Sequence, residues 1–249
     1  MVFKNKNHKF KKVKLITKFQ MENYPETATE RFDNANFHIK YCLSTINKHI
    51  HGNILEVGAG CGSFTRNYIN NKTHNIVLTE KDKKNIEILK NKFKYEKKIK
   101  VTDLSIENIK EKFETILYFH VLEHIEDDIK ELKFADKRLN SNGKLIIIVP
   151  AHQNIYSKLD KAVGHFRRYE KDFFKKNLFN LKLEKFLYLD SVGYILYYLN
   201  KIFYKNETFP SKTKIFLWDK FFTPISIFFD FILNYKFGKC IIAVYKKDN

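Results

Sequence analysis

The chain has 249 residues, 44% hydrophobic and 16% aromatic, enough apolar material for one sizeable core or at most two small ones, which excludes a mainly disordered chain. Eight Gly and four Pro exclude collagen-like and proline-rich scaffolds, and three Cys, at 42, 61 and 240, are too few and too scattered for a disulfide framework or zinc clip. The cysteine usage points to a reducing, cytoplasmic setting, and the formal charge of +18, from 46 Lys and Arg against 28 Asp and Glu, suits an anionic partner such as nucleic acid or a membrane surface.

Only five of those cations are Arg, and an excess of Lys, Asn, Ile and Phe is also what an AT-rich coding sequence produces, so nucleic acid is not favoured. The excess clusters at the start, where Lys4, Lys6, Lys9, Lys11, Lys12, Lys14 and Lys18 crowd one segment, either a solvated tail or a docking arm. No apolar run follows, so no signal peptide is expected. Residues 34–50 place Phe37, Tyr41, Ile46 and Ile50 at helical spacing, an amphipathic helix leading into the core.

From residue 53 strand and helix patterns alternate: NILEV, a glycine turn, a helix over about 63–71, NIVLT, a helix starting at Asp82, KKIKVTD, FETILYFH, a helix over about 126–139, and GKLIIIVP. Several strands are short continuous apolar runs, the pattern of strands buried on both faces of a parallel sheet. The expected class is α/β, a doubly wound, mostly parallel sheet. Beyond Pro150 long aromatic segments take over, ending in a last strand, CIIAVYKK. Asp190 and Lys201 interrupt the first of these segments, and Asp219, Lys220, Pro224 and Asp230 the second, so neither reads as a membrane span. They read as a buried helical lid or as an interfacial, lipid-facing surface. The expected division is a basic segment and lid helix over 1–50, then one domain over 51–249 with a helical insertion at about 191–236.

Between the first strand and its helix lies Leu55-Glu56-Val57-Gly58-Ala59-Gly60-Cys61-Gly62-Ser63-Phe64-Thr65. Glycines at 58, 60 and 62 let the backbone turn sharply and approach a ligand, while the helix N-terminus supplies N–H donors. A dinucleotide site wants G-x-G-x-x-G, but Ser63 stands at the third position and Glu56 precedes the turn, which favours a different cofactor.

This acidic-x-G-x-G-x-G turn resembles the first motif of the class I S-adenosylmethionine (SAM) methyltransferases, and the resemblance continues over about 53–150. It implies the Rossmann-like methyltransferase fold, with SAM held by Glu56, Gly58, Ala59, Gly60 and Gly62. It implies that Glu80, beside Lys81 at the end of the second strand, binds the ribose hydroxyls. It further implies that Asp103 and the Leu104 backbone read adenine. The fourth strand ends in Phe119-His120-Val121-Leu122-Glu123-His124, similar to the family's V-L-E-H segment, with His120 on the cofactor side. The family usually closes its sheet with an antiparallel hairpin, which LKLEKFLYLD and CIIAVYKK can supply.

The segment Pro150-Ala151-His152, Tyr156, Leu159-Asp160, Gly164-His165-Phe166-Arg167-Arg168-Tyr169 resembles a bacterial branch associated with envelope glycan and lipid-linked sugar synthesis. It follows the fifth strand, where open α/β sheets place substrate groups, and holds two of the five Arg. Arg167 and Arg168 either grip an acceptor phosphate or carboxylate or latch onto Asp160 and backbone carbonyls. Tyr24, within an N-terminal lid that includes Arg31 and Phe32, and His152 complete the expected acceptor contacts. His124, His165 and Tyr169 are the candidate catalytic groups. Some small-RNA and ubiquinone methyltransferases use E-x-x-E-H and a later His for a divalent ion. Here His120 replaces the first Glu, so no metal is expected, with His120, Glu123 and His124 as the alternative.

The expected function is methyl transfer from SAM to a hydroxyl or amine of a small or lipid-linked acceptor, by a cytoplasmic monomer or homodimer in contact with a membrane surface or free of it. The rival readings are an RNA methyltransferase, a non-catalytic subunit of the same fold and, weakest, a nicotinamide oxidoreductase.

Overall fold

The computed structural model describes residues 35–175, 178–203 and 211–249, so Tyr24, Arg31, Phe32 and the N-terminal lysines lie outside the described residues. The first described helix, α1 (Asn36–Ile46), buries Ile39, Leu43 and Ile46 on one face. Strand β1 (Gly52–Val57) then enters the sheet, followed by α2 (Thr65–Tyr68), β2 (Thr73–Thr79), α3 (Lys83–Lys92), β3 (Ile99–Thr102) and β4 (Phe113–Phe119). After β4 come α4 (Asp128–Arg138), β5 (Leu139–Pro150), α5 (Lys158–Ala162), α6 (Lys171–Lys175) and β6 (Leu181–Leu189). The helices α7 (Ser191–Phe203), α8 (Lys212–Leu217) and α9 (Thr223–Ile232) precede β7 (Cys240–Lys247), and a π turn (Trp218–Phe222) joins α8 to α9.

The strands form one seven-stranded sheet in the order β3-β2-β1-β4-β5-β7-β6. β1 to β5 pair in parallel, whereas β7 runs antiparallel to both β5 and β6, which supplies the expected hairpin. Side chains alternate between two buried layers because successive residues of a strand face opposite ways. In β5, Leu145, Ile147 and Val149 join one core, while Ile146 and Ile148 join the other. The apolar runs of the sequence are therefore strands buried on both faces, and the doubly wound α/β expectation holds.

Helix α2 is shorter than the stretch expected over 63–71. The Asn70 side chain accepts from the Lys72 amide at 2.7 Å, an Asx turn that ends the helix and starts β2. The starts of α3 and α4 follow the sequence signals: Asp82 accepts from the Asn85 amide and Asp127 from that of Lys130.

Glu56 fastens β1 to α2. Its Oε2 accepts from Thr65 Oγ1 at 2.6 Å and from the Tyr68 hydroxyl at 2.7 Å, in a site only 2% exposed. Burial dominates these two bonds and pushes the carboxyl up from 4.5 to about 7. The unfolded carboxyl ionises near 4.5 and the folded one near 7, so ionisation of the unfolded chain draws stability away as pH rises through that window. Glu56→Gln removes this dependence. Relative to the wild type, the variant should gain up to about 3 kcal/mol between about pH 5 and about pH 8, read from urea midpoints at the two values. A difference that does not change with pH would refute the assignment.

Candidate functional site

The strand order reverses between β1 and β4, and the carboxyl ends of β3, β2, β1, β4 and β5 stand side by side there. Open α/β sheets leave a crevice at such a switch point. The glycine turn closes one wall of it. Gly58 has φ +65°, and a side chain there would meet Val121, just beyond β4, at 2.7 Å. Gly62 has φ +75° and presses on Phe93 in the same way. Only glycine tolerates both the conformation and the contact.

The turn is held from the side of β2. The Ala59 amide donates to the Thr79 carbonyl at 2.9 Å and the Gly60 amide to Glu80 Oε2 at 2.8 Å. Glu80 Oε1 accepts from the amides of Lys81 and Asp82 at 2.8 and 2.9 Å. Three backbone donors thus fix the carboxylate beneath the turn. A carboxylate has about four acceptor positions, so about one stays available to a ligand hydroxyl unless a backbone bond gives way. Lys81 is exposed, and so are Asp103 and Leu104 just past β3; the Leu104 amide donates to Thr102 Oγ1 at 3.3 Å. At the end of β4, His120 takes φ +56°, its amide donates to the Ile148 carbonyl at 2.8 Å, and its ring lies 6.3 Å from Phe64.

On the far side of the switch point the V-L-E-H and G-H-x-R-R-Y segments meet. Glu123 is 1% exposed, with Oε1 3.7 Å from His120 Nδ1 and 3.9 Å from His165 Nε2, and its Oε2 has no hydrogen-bond partner among the described residues. Burial would raise this carboxyl, but the flanking imidazoles outweigh it and hold it below the ordinary value. The rings of His124 and His165 meet edge to face at 4.6 Å, and burial lowers His124 to about 4, leaving it neutral at pH 7. His165 Nδ1 lies 3.0 Å from Asp160 Oδ1, an arrangement that orients the ring and turns Nε2 toward Glu123. His152, at φ +66°, stacks on Tyr188 at 5.1 Å and touches Tyr194 edge-on at 5.0 Å.

Asp160 gathers this half of the site. Its Oδ1 also accepts from Arg168 Nε at 3.0 Å and from the terminal Nη2 at 2.9 Å, while its Oδ2 accepts from the Ser157 amide and the Tyr197 hydroxyl, both at 2.9 Å. Arg168 also donates to the Ala151 carbonyl at 3.2 Å and lies over the Tyr197 ring. Its guanidinium is turned into the protein, the latch arrangement rather than an acceptor grip. Arg167 pairs with Asp128 at 2.6 Å and donates to the Glu126 carbonyl at 2.7 Å, with 32% of its side chain exposed. Tyr169 is 2% exposed, and its hydroxyl bonds Asp128 Oδ2 at 2.9 Å. Burial and that carboxylate hold it firmly in the phenol form, which suits positioning and not proton abstraction.

Sequence reasoning passed over Asp128, which binds both Arg167 and Tyr169, and Tyr197, which brings α7 to Asp160. An Asp two residues beyond Glu126, in a helix start, carries no signal beyond a cap. Among the described residues, Glu123, His124 and His165 place one possible ligand atom each within 4.8 Å of one another, and so do His38, His120 and Cys240. The expected alternative set of His120, Glu123 and His124 is thus divided between two clusters. Each cluster has at most one carboxylate, a donor set ill-suited to Mg²⁺.

The methyltransferase-domain family matches residues 26–181. That is more than half of the chain, and the chain belongs to this family. No protein of curated function matches the sequence. Among solved structures, the N-methyltransferase NodS from Bradyrhizobium japonicum in complex with S-adenosyl-L-homocysteine is similar in fold, with a TM-score of 0.59 at 14% identity over 93% of this chain and 98% of that one. A SAM-dependent methyltransferase from Clostridium acetobutylicum gives a TM-score of 0.51 at 17% identity, covering 98% and 100%. A putative methyltransferase complexed with the Trm112 activator of Haloferax volcanii gives 0.62 at 9%, covering 90% and 95%. The Rossmann-like methyltransferase fold and the transferase class expected from the sequence are both shown.

Asp160→Ala leaves Arg168, whose side chain is 4% exposed, as a buried cation without its partner. The variant should lose about 3–5 kcal/mol of stability by chemical denaturation. Adding Arg168→Met should restore much of it, whereas a single variant within about 1 kcal/mol of the wild type would show that the latch carries little.

Proposed function

We propose that this enzyme is SAM-dependent and moves a methyl group to a hydroxyl or amine on a sugar, a lipid-linked glycan or another small molecule. The observation that carries the proposal is the Glu80 carboxylate, fixed against the Gly60 amide at the mouth of the strand switch point. SAM supplies an electrophilic methyl group on a sulfonium centre. Glu80 takes a ribose hydroxyl, Asp103 and the Leu104 backbone face adenine, and Gly58 to Gly62 let the backbone lie close to the donor. Ala59, Lys81 and His120 frame the same crevice, with Glu56 fixing the turn from below. Methyl transfer is an in-line displacement, so alignment is the protein's main contribution.

For a hydroxyl acceptor, His165 Nε2 receives the proton while Asp160 holds Nδ1–H. His124 is the neutral partner beside it. Arg168 and Tyr169 set the loop that carries His165, Arg167 offers its exposed part to an anionic acceptor group, and His152 completes the acceptor side. The G-H-F-R-R-Y segment supports an envelope-glycan acceptor, and NodS, an N-methyltransferase, supports an amine. The three cysteines are buried thiols, which supports a reducing cytoplasmic setting.

Calorimetric titration of SAM and S-adenosylhomocysteine, with NADH as control, tests the donor. Both adenosyl ligands should bind, and Glu80→Ala should weaken them at least about tenfold, equivalent to about 1.4 kcal/mol. A folded protein that binds neither overturns the proposal. With sugar, lipid-linked, amine and RNA acceptors screened, His165→Asn should lower kcat about 10²–10⁴-fold on a hydroxyl acceptor and shift its pH profile. Equal turnover by the variant would remove His165 from the chemistry.

A further inference from the structure

Helix α9, between β6 and β7, is inside out. In α9 the buried residues are Thr223, Ser226 and Asp230, each 0% exposed, spaced three and four apart along one face. The opposite face carries Ile225, Phe228, Phe229 and Ile232 at the same helical spacing, with Phe228 61% and Ile232 58% exposed. The π turn continues the pattern, burying Asp219 and leaving Phe221 60% exposed, while α8 buries Ile215 and leaves Phe216 56% exposed. A soluble helix normally turns its apolar stripe inward, and an apolar patch of this extent marks an interaction surface.

The buried polar face explains how the helices stay in place. Asp219 accepts from the amides of Phe37 and His38 at 3.2 and 2.9 Å, capping α1. Asp230 accepts from the Tyr41 hydroxyl at 2.7 Å and from the amides of Asp190 and Ser191 at 2.7 and 2.9 Å. Asp190 accepts from Ser226 Oγ at 2.7 Å and pairs with Lys239 at 2.9 Å. The charges are sorted accordingly. In the described part of 191–236 both acidic side chains, Asp219 and Asp230, are buried, whereas Lys212, Lys214, Lys220 and Lys236 are exposed.

We propose that this face inserts shallowly into the headgroup region of an anionic phospholipid bilayer. Exposed aromatic and aliphatic side chains would enter the acyl boundary while the lysines meet lipid phosphates, the composition of an interfacial helix. Among the described residues no helix is long and apolar enough to cross a membrane, so the contact lies in the plane of the surface. A second copy of this chain is a poorer occupant, because a symmetric contact would bring the lysines of two chains of formal charge +18 together. The proposal does not depend on the identity of the methyl donor.

Flotation of the full chain with vesicles tests it. Binding should be strong to phosphatidylcholine containing one part in three phosphatidylglycerol, and at least about tenfold weaker to phosphatidylcholine alone. Phe228→Ser with Phe231→Ser should weaken binding to the anionic vesicles at least about tenfold, while Lys212→Glu with Lys220→Glu should remove most of the preference for anionic lipid. All four positions are exposed, and unchanged thermal melting and unchanged SAM titration confirm that the variants fold. Absence of vesicle binding overturns the proposal. So does undiminished binding by the phenylalanine variant, which would place the contact on the N-terminal lysines. Sedimentation that shows a dimer lost on Phe228→Ser, without lipid binding, would assign the face to self-association instead.

Discussion

A carboxylate taken out of water must be met by donors, and this chain uses that requirement to join pieces of backbone that the sheet alone does not connect. Glu56 ties β1 to the helix after the glycine turn. Asp160 ties the loop after β5 to α7 through Tyr197, Asp219 caps α1 from the far end of the chain, and Asp230 joins α1, α7 and the end of β6. The parallel strands make the platform, and these acids decide how the segments above it are placed.

Glu123 departs from the rule within the candidate site. One of its oxygens is buried with no hydrogen-bond partner among the described residues, at the meeting point of His120, His124 and His165. An unmet buried acceptor is tolerated where something else is to be bound or where the field it creates is useful. Here the field acts on imidazoles that are partly shielded from water. Glu123 Oε1 lies 3.9 Å from His165 Nε2, and Asp160 on the other nitrogen keeps the ring aimed. The backbone is strained in the same neighbourhood. His120 and His152, which end adjacent strands, both have positive φ, a conformation that persists only where the surroundings impose it.

Much of this was legible in the sequence for a simple reason. Strands β1, β4 and β5 are buried on both faces and read as unbroken apolar runs, and a glycine turn between a strand and a helix has few alternatives. Asp82 and Asp127 announce their helices by capping them. What was not legible depends on contacts between distant residues. Nothing local distinguishes Arg168, bonded to Asp160, from an arginine that faces an acceptor, because both stand in the same segment at the same spacing. Helix α2 ended early because Asn70 turned its side chain onto the backbone, a competition that hydrophobic periodicity does not register.

The insertion shows how a single residue type can carry two opposite meanings. Asp219 and Asp230 argue against a membrane span when the segment is read as a string. In the fold they are turned inward, and their burial drives the phenylalanines of the same helices outward. A pattern that counts residues averages the two faces, and only the three-dimensional pairing with α1 and Ser226 separates them. The same pairing has a functional consequence. Tyr197 of α7 binds Asp160, and Ser226 of α9 binds Asp190 just before α7, so hydrogen bonds link α9 to the histidine loop through α7. Tyr194 of the same helix α7 touches the His152 ring, which stacks on Tyr188.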